Sequence, residues 1–322
     1  MNLYLGIDTS CYTTSVCLLG DDGRVVQDER RILTVPSGGR GLSQSHMVYQ
    51  HTRNLPELME RLRPALKGNR IGAIGVTNQP RRREDSYMPA FLAGLGCARS
   101  LAAMLQVPLY PISHQENHLL AALRPLGTVP EAPFTGLHLS GGTTDLLHAV
   151  ADEEGLSISR IGGTSDISAG QFIDRVGVAL GFPFPAGVHL DAMARKGSMD
   201  IKGSRVFCRD GEISYSGPES QAQRQIASGT ADCCAMSCWT LRTVWNGLQE
   251  LLDAGLASGM DKLVAVGGVM SNGFLRSQLL RYAGRHHVQV ILAPDGYSAD
   301  NASGAAFWAF WKERGHLWNM HR

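Results

Sequence analysis

The residues with the most chemical content lie in His114-Gln115-Glu116-Asn117-His118. Ser113 followed three residues later by Glu116 is a capping-box pattern, so a helix is expected to begin at His114. His114 and His118 then stand i, i+4 on one face, where two imidazoles can hold one metal ion. Such a pair needs a third ligand from elsewhere and suits Fe, Zn or another metal that favours imidazole. Asp300 supplies the missing carboxylate in this reading. It precedes the closing helix, so it is also a candidate N-cap. Two histidines and one carboxylate leave coordination positions open for substrate oxygens, whereas a structural zinc normally fills all four. The bland alternative is two unrelated histidines, one at a cap and one packed.

A second set of residues suits a nucleotide. Ser140-Gly141-Gly142-Thr143-Thr144 can present backbone N–H groups and hydroxyls to a phosphate or a carbonyl. Asp174, and Asp191 a few residues after Pro185-Ala186-Gly187, are acids able to accept hydrogen bonds from ribose hydroxyls. Gly267-Gly268-Val269-Met270-Ser271-Asn272 joins a buried strand to a helix; its glycines let a flat adenine lie against backbone, and Asn272 can bond the ligand. The run Arg81-Arg82-Arg83 reads in two ways, as a contact for phosphate or an acidic group, or as a solvated turn balanced by Glu84 and Asp85.

The elements that must position these residues come in two similar phrases. Leu3–Ile7 reads as a strand, Asp8–Thr14 as a polar turn and Ser15–Leu19 as a returning strand, with a third strand near Arg24–Gln27. Gly136–Leu139, Ser140–Thr144 and Asp145–Val150 repeat that order, with a third strand at Ile158–Ile161. Helices are expected over His51–Leu66, Pro89–Leu105, Ser168–Leu180, Gly229–Leu252, Asn272–Gly284 and Ala299–Trp311. Further strands are expected at Ile71–Thr77, Leu109–Ile112, Leu263–Val266 and Val288–Leu292, and Pro36–Gly41 reads as a loop. The repetition indicates an internal duplication. It predicts an α/β chain with the two-lobe actin-like ATPase (ASKHA) fold, in which paired strand-turn-strand hairpins hold phosphates across an interlobe cleft. The expected division is 1–111 and 112–298, with the closing helix 299–322 returning to the first lobe and the metal and nucleotide site at the lobe boundary.

Composition limits the classes of function. The chain has 322 residues, 43% hydrophobic and 18% charged, enough for large cores without a disulfide or metal staple. Its formal net charge of +1 excludes coating nucleic acid by bulk electrostatics, though not a local basic patch. No apolar run reaches the roughly 18 residues that span a bilayer. The early Asp8 and the lack of a basic start argue against a signal peptide, so a cytoplasmic protein is expected. The seven cysteines contain no C-x-x-C pair and read as reduced thiols.

With these motifs in place, the chain resembles the threonylcarbamoyl transferases that make N6-threonylcarbamoyladenosine in tRNA, formerly labelled O-sialoglycoprotein endopeptidases. The resemblance runs from Gly6-Ile7-Asp8-Thr9-Ser10-Cys11 to Asp300-Asn301. The family reads G-I-E-T-S-C-D-E-T at the start, H-x-E-G-H at the histidine pair, S-G-G-H-T at the second turn, F-D-K followed by Y-P-G-G, then G-G-V-x-x-N and T-D-N. The resemblance implies that His114, His118 and Asp300 are metal ligands, with iron the favoured ion and zinc a possibility. It implies that Ser140–Thr144, Asp174, Gly187, Asp191, Gly267, Gly268 and Asn272 meet ATP or an acyl-adenylate. The implied reaction moves a threonylcarbamoyl group from threonylcarbamoyl-AMP to N6 of an adenosine in tRNA, with tRNA bound through a local patch or a partner and with family-type accessory proteins. A protease is not supported, since the H-E-x-x-H order is missing.

The chain also departs from the family pattern, as a divergent paralogue would. Tyr12-Thr13 replace Asp-Glu, Pro80–Ser86 replaces a P-G-L-type turn, Thr143 replaces a histidine, and Pro185-Ala186-Gly187 replaces P-G-G. Two alternatives therefore stay open. One is ATP-dependent carbamoyl or acyl transfer to a small-molecule acceptor, favoured by Tyr12, Thr13 and the arginine turn. The other is a nucleotide-binding, non-catalytic paralogue acting in a complex, against which the intact His114, His118 and Asp300 argue.

Overall fold

The computed structural model describes residues 1–10, 12–35, 42–198 and 200–318, with side chains as far as Arg314. Cys11 and the expected loop at 36–41 lie outside the described residues. The elements in chain order are β1 (Asn2–Ser10), β2 (Thr13–Leu19), β3 (Val25–Ile32), α1 (Gln44–Arg61), α2 (Arg63–Leu66), β4 (Arg70–Gln79), α3 (Phe91–Leu105), β5 (Leu109–Ser113) and α4 (His114–Leu123). There follow β6 (Phe134–Leu139), β7 (Thr144–Ala151), β8 (Leu156–Thr164), α5 (Ala169–Ala179), α6 (Gly187–Ala194), β9 (Phe207–Arg209), β10 (Glu212–Ser214), α7 (Ser216–Ala227), α8 (Cys233–Ala257), β11 (Lys262–Val266), α9 (Gly273–His286), β12 (Gln289–Leu292) and α10 (Ser303–Trp318).

Two sheets repeat one topology. The first has the order β3-β2-β1-β4-β5; the second has β12-β11-β6-β7-β8-β10-β9 and so contains the same five-strand order, extended at one edge by β10 and β9. In each, an antiparallel hairpin (β1–β2, β6–β7) is followed by parallel neighbours (β4 and β5, β11 and β12). The duplicated hairpins expected from the sequence are present. The elements absent from the sequence reading are α6, α7, β9 and β10, all of which fall between Gly187 and Ala227.

The division into compact units corrects the expected one. The first unit comprises 1–132, 150–158 and 293–322, and the second 133–149 and 159–292. The boundary moves from 111 to 132 because α4 packs with the strands before it and with α10: the Asn117 side chain bonds both the Asn301 carbonyl and the Ala305 amide. Residues 150–158 join the first unit through Arg82, which pairs with Asp152, and through Lys312, which donates to the Glu153 carbonyl.

Alternation along β1 decides what each face of the first sheet can hold. Leu3, Leu5 and Ile7 enter a core with Leu55, Leu58 and Leu62 of the α1 region and Ala98 and Ala102 of α3. Tyr4, Gly6 and Asp8 take the other face, because successive side chains alternate. There α10 lies directly on backbone. Gly6 and Gly75 are register partners on β1 and β4. A Cβ on Gly6 would come 2.1 Å from the Ala302 carbonyl oxygen, and one on Gly75 would come 1.9 Å from that of Ala305. No side chain fits between sheet and helix at this point. The second unit has its own core, in which α8 contributes Leu241, Val244, Leu248 and Leu251 against Leu137, Leu139 and Leu263 of the sheet.

One buried histidine ties α1 to the first hairpin. His51 Nδ1 is 2.8 Å from Thr14 Oγ1, and Asn54 donates to the same oxygen. Burial outweighs the pull of Asp8 and lowers the His51 pKa from 6.5 to about 4. The folded chain thus binds fewer protons here than the unfolded one, so stability falls as pH drops below about 6.5, down to about pH 4. Between pH 7.5 and 5 this ring should cost about 2 kcal/mol. Urea unfolding of His51→Gln should show a shallower acid loss by that amount. Gly75→Ala should lose about 3 kcal/mol or more through the clash with α10, read as a lower urea midpoint at unchanged slope.

Candidate functional site

The two histidines arise from the expected capping box. Ser113 Oγ accepts from the Glu116 amide, and the Glu116 carboxylate accepts from the Ser113 amide at 2.7 Å. This starts α4 at His114 and turns His114 and His118 to the same side, with their Nε2 atoms 3.0 Å apart. Asp300 reaches them from the segment before α10, its Oδ1 3.5 Å from His114 Nε2 and 3.4 Å from His118 Nε2. It is not the N-cap of α10. That helix begins at Ser303, its first turn closes on the Ala302 carbonyl, and Asn301 Oδ1 takes the Ser303 amide. Asp300, freed from capping, faces the imidazoles.

Three donors spaced at 3.0, 3.4 and 3.5 Å are equidistant from a point in their plane about 1.9 Å from each, and points just above or below it reach the roughly 2.0–2.2 Å of zinc–nitrogen and zinc–oxygen bonds. Among the described residues, these three form the group of His, Cys, Asp and Glu side chains able to share an ion. His118 is almost fully buried, His114 nearly so and Asp300 about one-third exposed, so the donor set is open on the carboxylate side. The donor types and their spacing fit a divalent metal.

Asp8 is a site residue that motif spacing alone does not single out. Its carboxylate is fully buried, takes hydroxyl protons from Ser10 and Thr77, and lies 3.3 Å from His114 Nδ1. With Nδ1–H directed at Asp8, His114 turns Nε2 toward His118 and Asp300, the carboxylate–histidine arrangement that fixes the tautomer of a metal ligand. The signal in the sequence is the period of two: Tyr4, Gly6 and Asp8 share a face, and β4 sends Gly75 and Thr77 to that same face.

Burial disfavours charge on His114, but Asp8 and Asp300 outweigh it and hold its pKa well above the ordinary histidine value. Burial and the neighbouring His114 push His118 down. Burial would raise Asp300, yet the two histidines bring it well below the usual carboxylate range.

Glu116, between the histidines, is also fully buried. Besides the Ser113 amide it accepts the Leu156 amide at 2.7 Å, and Arg82 Nη1 lies 3.8 Å away. A Cβ on Gly155 would come 2.1 Å from its Oε1. In the arginine turn, Arg82 pairs with Asp152 and Arg83, exposed, with Asp85.

In the second unit the nucleotide candidates line the ends of neighbouring elements. Ser140 Oγ accepts from the Gly142 and Thr143 amides and closes the hairpin turn. Thr144 Oγ1 accepts from the Ala169 amide, and Ser168 Oγ donates to the Gly141 carbonyl, so the turn rests on the start of α5. Gly141 and Gly142 face open space. Asp174, on α5, accepts from the Ala186 amide just before Gly187 and the start of α6; burial raises its pKa despite this bond. Asn272 donates to Asp191 at 2.9 Å and caps α9 through Leu275, while Arg195 pairs with Asp191. Gly267 has φ of 97° and lies so near Leu139 that a Cβ would come 2.1 Å from its carbonyl oxygen; Gly268 meets open space. Ser140, Thr144, Asp174 and Gly267 therefore hold the loops, and Gly141, Gly142, Gly268 and the Asp191–Asn272 pair present surface.

A family model described as tRNA N6-adenosine threonylcarbamoyltransferase matches residues 40–307. The chain is 29% identical over 320 residues to the tRNA N6-adenosine threonylcarbamoyltransferase of Sulfurihydrogenibium sp. (strain YO3AOP1), covering 97% of this chain and 91% of that relative. It is 30% identical to the protein of that name from Syntrophobacter fumaroxidans, covering 97% and 95%. Among solved structures, component A of the (R)-2-hydroxyglutaryl-CoA dehydratase of Acidaminococcus fermentans aligns with a TM-score of 0.59 at 16% identity, over 97% of this chain and 99% of that one. Full-length HypF in its phosphate- and nucleotide-bound form aligns with a TM-score of 0.62 at 13% identity, over 97% and 55%. These structural likenesses show the fold alone, which is the actin-like ATPase (ASKHA) fold. Among the described residues, no helix is long and apolar enough to cross a membrane.

An ion held at His114 Nε2 competes with protonation of that ring, which the neighbouring Asp8 and Asp300 favour. Titration calorimetry should therefore show Co²⁺ affinity falling as pH is lowered. Asp8→Asn, which removes a charge that favours the protonated ring, should shift that loss to lower pH.

Proposed function

The chain belongs to the tRNA N6-adenosine threonylcarbamoyltransferase family, and we propose that it transfers a threonylcarbamoyl group from threonylcarbamoyl-AMP to N6 of an adenosine in tRNA, with one divalent metal held by His114, His118 and Asp300. The observation that carries the metal-dependent reading is the donor triangle on α4 and the segment before α10, backed by Asp8. The metal supplies Lewis acidity toward an oxygen of the group transferred. Iron is the ion favoured by the resemblance, and zinc suits the same donors.

The residues of the chain have separable tasks. Asp8 orients His114, and Glu116 fixes the turn from which both histidines project. In the second unit, the Ser140–Thr143 turn is the element suited to the phosphate of AMP, and Asp191 with Asn272 to its nucleoside part. In the reaction the N6 amine attacks the carbamoyl carbon. A C–N bond forms, the bond from that carbon to the phosphate oxygen breaks, AMP leaves, and N6 gives up a proton. Direct transfer of this kind requires no nucleophilic serine or cysteine on the protein. Holding reactants in line supplies much of the rate, so small displacements of ligands should weigh heavily on turnover. With a net charge of +1, tRNA would bind through a local basic patch or an accessory protein.

The test is product analysis with threonylcarbamoyl-AMP, unmodified tRNA and any accessory proteins the reaction needs. Threonylcarbamoyladenosine should form with the wild type, and His114→Ala or Asp300→Ala should lower kcat at least 100-fold. Absence of modified tRNA alongside ATP-dependent transfer to a small molecule would favour the other acceptor class. Full activity in His114→Ala would remove the metal from the mechanism.

A further inference from the structure

We propose that Asn117 is a positioning residue that sets the place of Asp300 relative to His114 and His118. The inference rests on the metal reading above and goes beyond the three ligands. Asn117 is fully buried at the third position after His114, one turn along α4 from that residue. Its amide group grips two points on the other ligand-bearing segment. Nδ2 donates to the carbonyl of Asn301, the residue after Asp300, at 2.6 Å, and Oδ1 accepts from the Ala305 amide in the first turn of α10 at 2.8 Å.

The backbones meet at the same place. A Cβ on Gly304 would come 1.9 Å from the Asn117 carbonyl oxygen, so only glycine lets α10 approach α4 this closely. Asn301 completes the link on its own side. It is fully buried, donates to the carbonyls of Tyr297 and Ala299, and accepts from the amide and hydroxyl of Ser303. The loop that carries Asp300 is thereby fixed internally by Asn301 and fixed to the histidine helix by Asn117.

The H-x-E-G-H pattern that the chain resembles has glycine where Asn117 stands, and a glycine has no side chain to make either bond. A Cys, His or carboxylate ligand that comes from a separate segment is placed only as well as that segment is held, and loss of a group that orients a ligand commonly costs 10–100-fold in metal affinity.

The experiment measures Co²⁺ binding and the visible ligand-field spectrum of the full chain for wild type, Asn117→Asp, Asn117→Gly, Asp300→Ala and the Asn117→Gly/Asp300→Ala double variant. Asn117→Asp keeps the shape and the acceptor but removes the donor to Asn301. Asn117→Gly removes both bonds and installs the residue of the family pattern. Both should keep the wild-type far-UV circular dichroism while the Kd for Co²⁺ rises 10–100-fold and the spectrum shifts toward that of Asp300→Ala. Asp300→Ala should weaken binding strongly in the wild-type background and much less in Asn117→Gly, because the carboxylate is already displaced there. Unchanged affinity and spectrum in folded Asn117→Asp and Asn117→Gly, with only the unfolding midpoint lowered, would reduce Asn117 to a structural contact and overturn the inference while leaving the metal reading intact. Failure of the wild type to bind Co²⁺ any better than His114→Ala would overturn both.

Discussion

The close approach of α10 to the first sheet is the constraint on which the site depends. Gly6 and Gly75 are side by side on β1 and β4, and the backbone of α10 rests on them with no side chain between. Gly304 repeats this closeness against α4. Contacts of this kind are rigid, because a methyl group can neither be added nor relaxed away without moving a whole helix. Asp300 leads into α10 and the histidines begin α4, so the distances among the three donors are inherited from helix–sheet and helix–helix packing. The side-chain tethers from Asn117 and Asn301 refine a geometry that the glycines already permit.

Charge in this region is arranged around that packing. Asp8, His114 and Asp300 form a line of carboxylate, imidazole and carboxylate in a largely buried setting, where isolated charges would be costly. Each member is acceptable because its neighbour compensates it. Asp8 also receives the hydroxyls of Ser10 and Thr77, so the innermost carboxylate is the most fully satisfied. Glu116 follows the same rule with two backbone amides and the nearby Arg82. A buried acid of this type orders the backbone that serves it, and here that backbone includes the first turn of the histidine helix.

The second unit builds the same hairpin with different packing at its turn. Its turn from Ser140 to Thr143 is closed by its own serine and rests on the start of α5, and the glycines that face open space are Gly141, Gly142 and Gly268. Gly267 belongs to packing against Leu139 instead. Glycines that look alike in the sequence thus divide into those that face open space and those that admit another strand.

Much of this was legible in the chain. The capping box before His114 fixes the start of α4 through local hydrogen bonds, so sequence spacing alone places the two imidazoles on one side. The repeated strand-turn-strand phrase gives the duplicated sheet order, because alternating and continuous apolar runs are local signals. The short elements between Gly187 and Ala227 were not legible: β9 and β10 have three residues each, too few to show a period. Nor was the division at residue 132, since it depends on which surfaces pack. Asp300 could be read as a cap or as a ligand from its position before a helix. Only the fold, by starting α10 at Ser303 and pressing it against Gly6, Gly75 and Asn117, turned its carboxylate toward the two imidazoles. Local chemistry therefore determined which residues could bind a metal and on which helix they stand; tertiary packing decided that Asp8 and Asp300 join them, because those contacts join residues more than 100 positions apart.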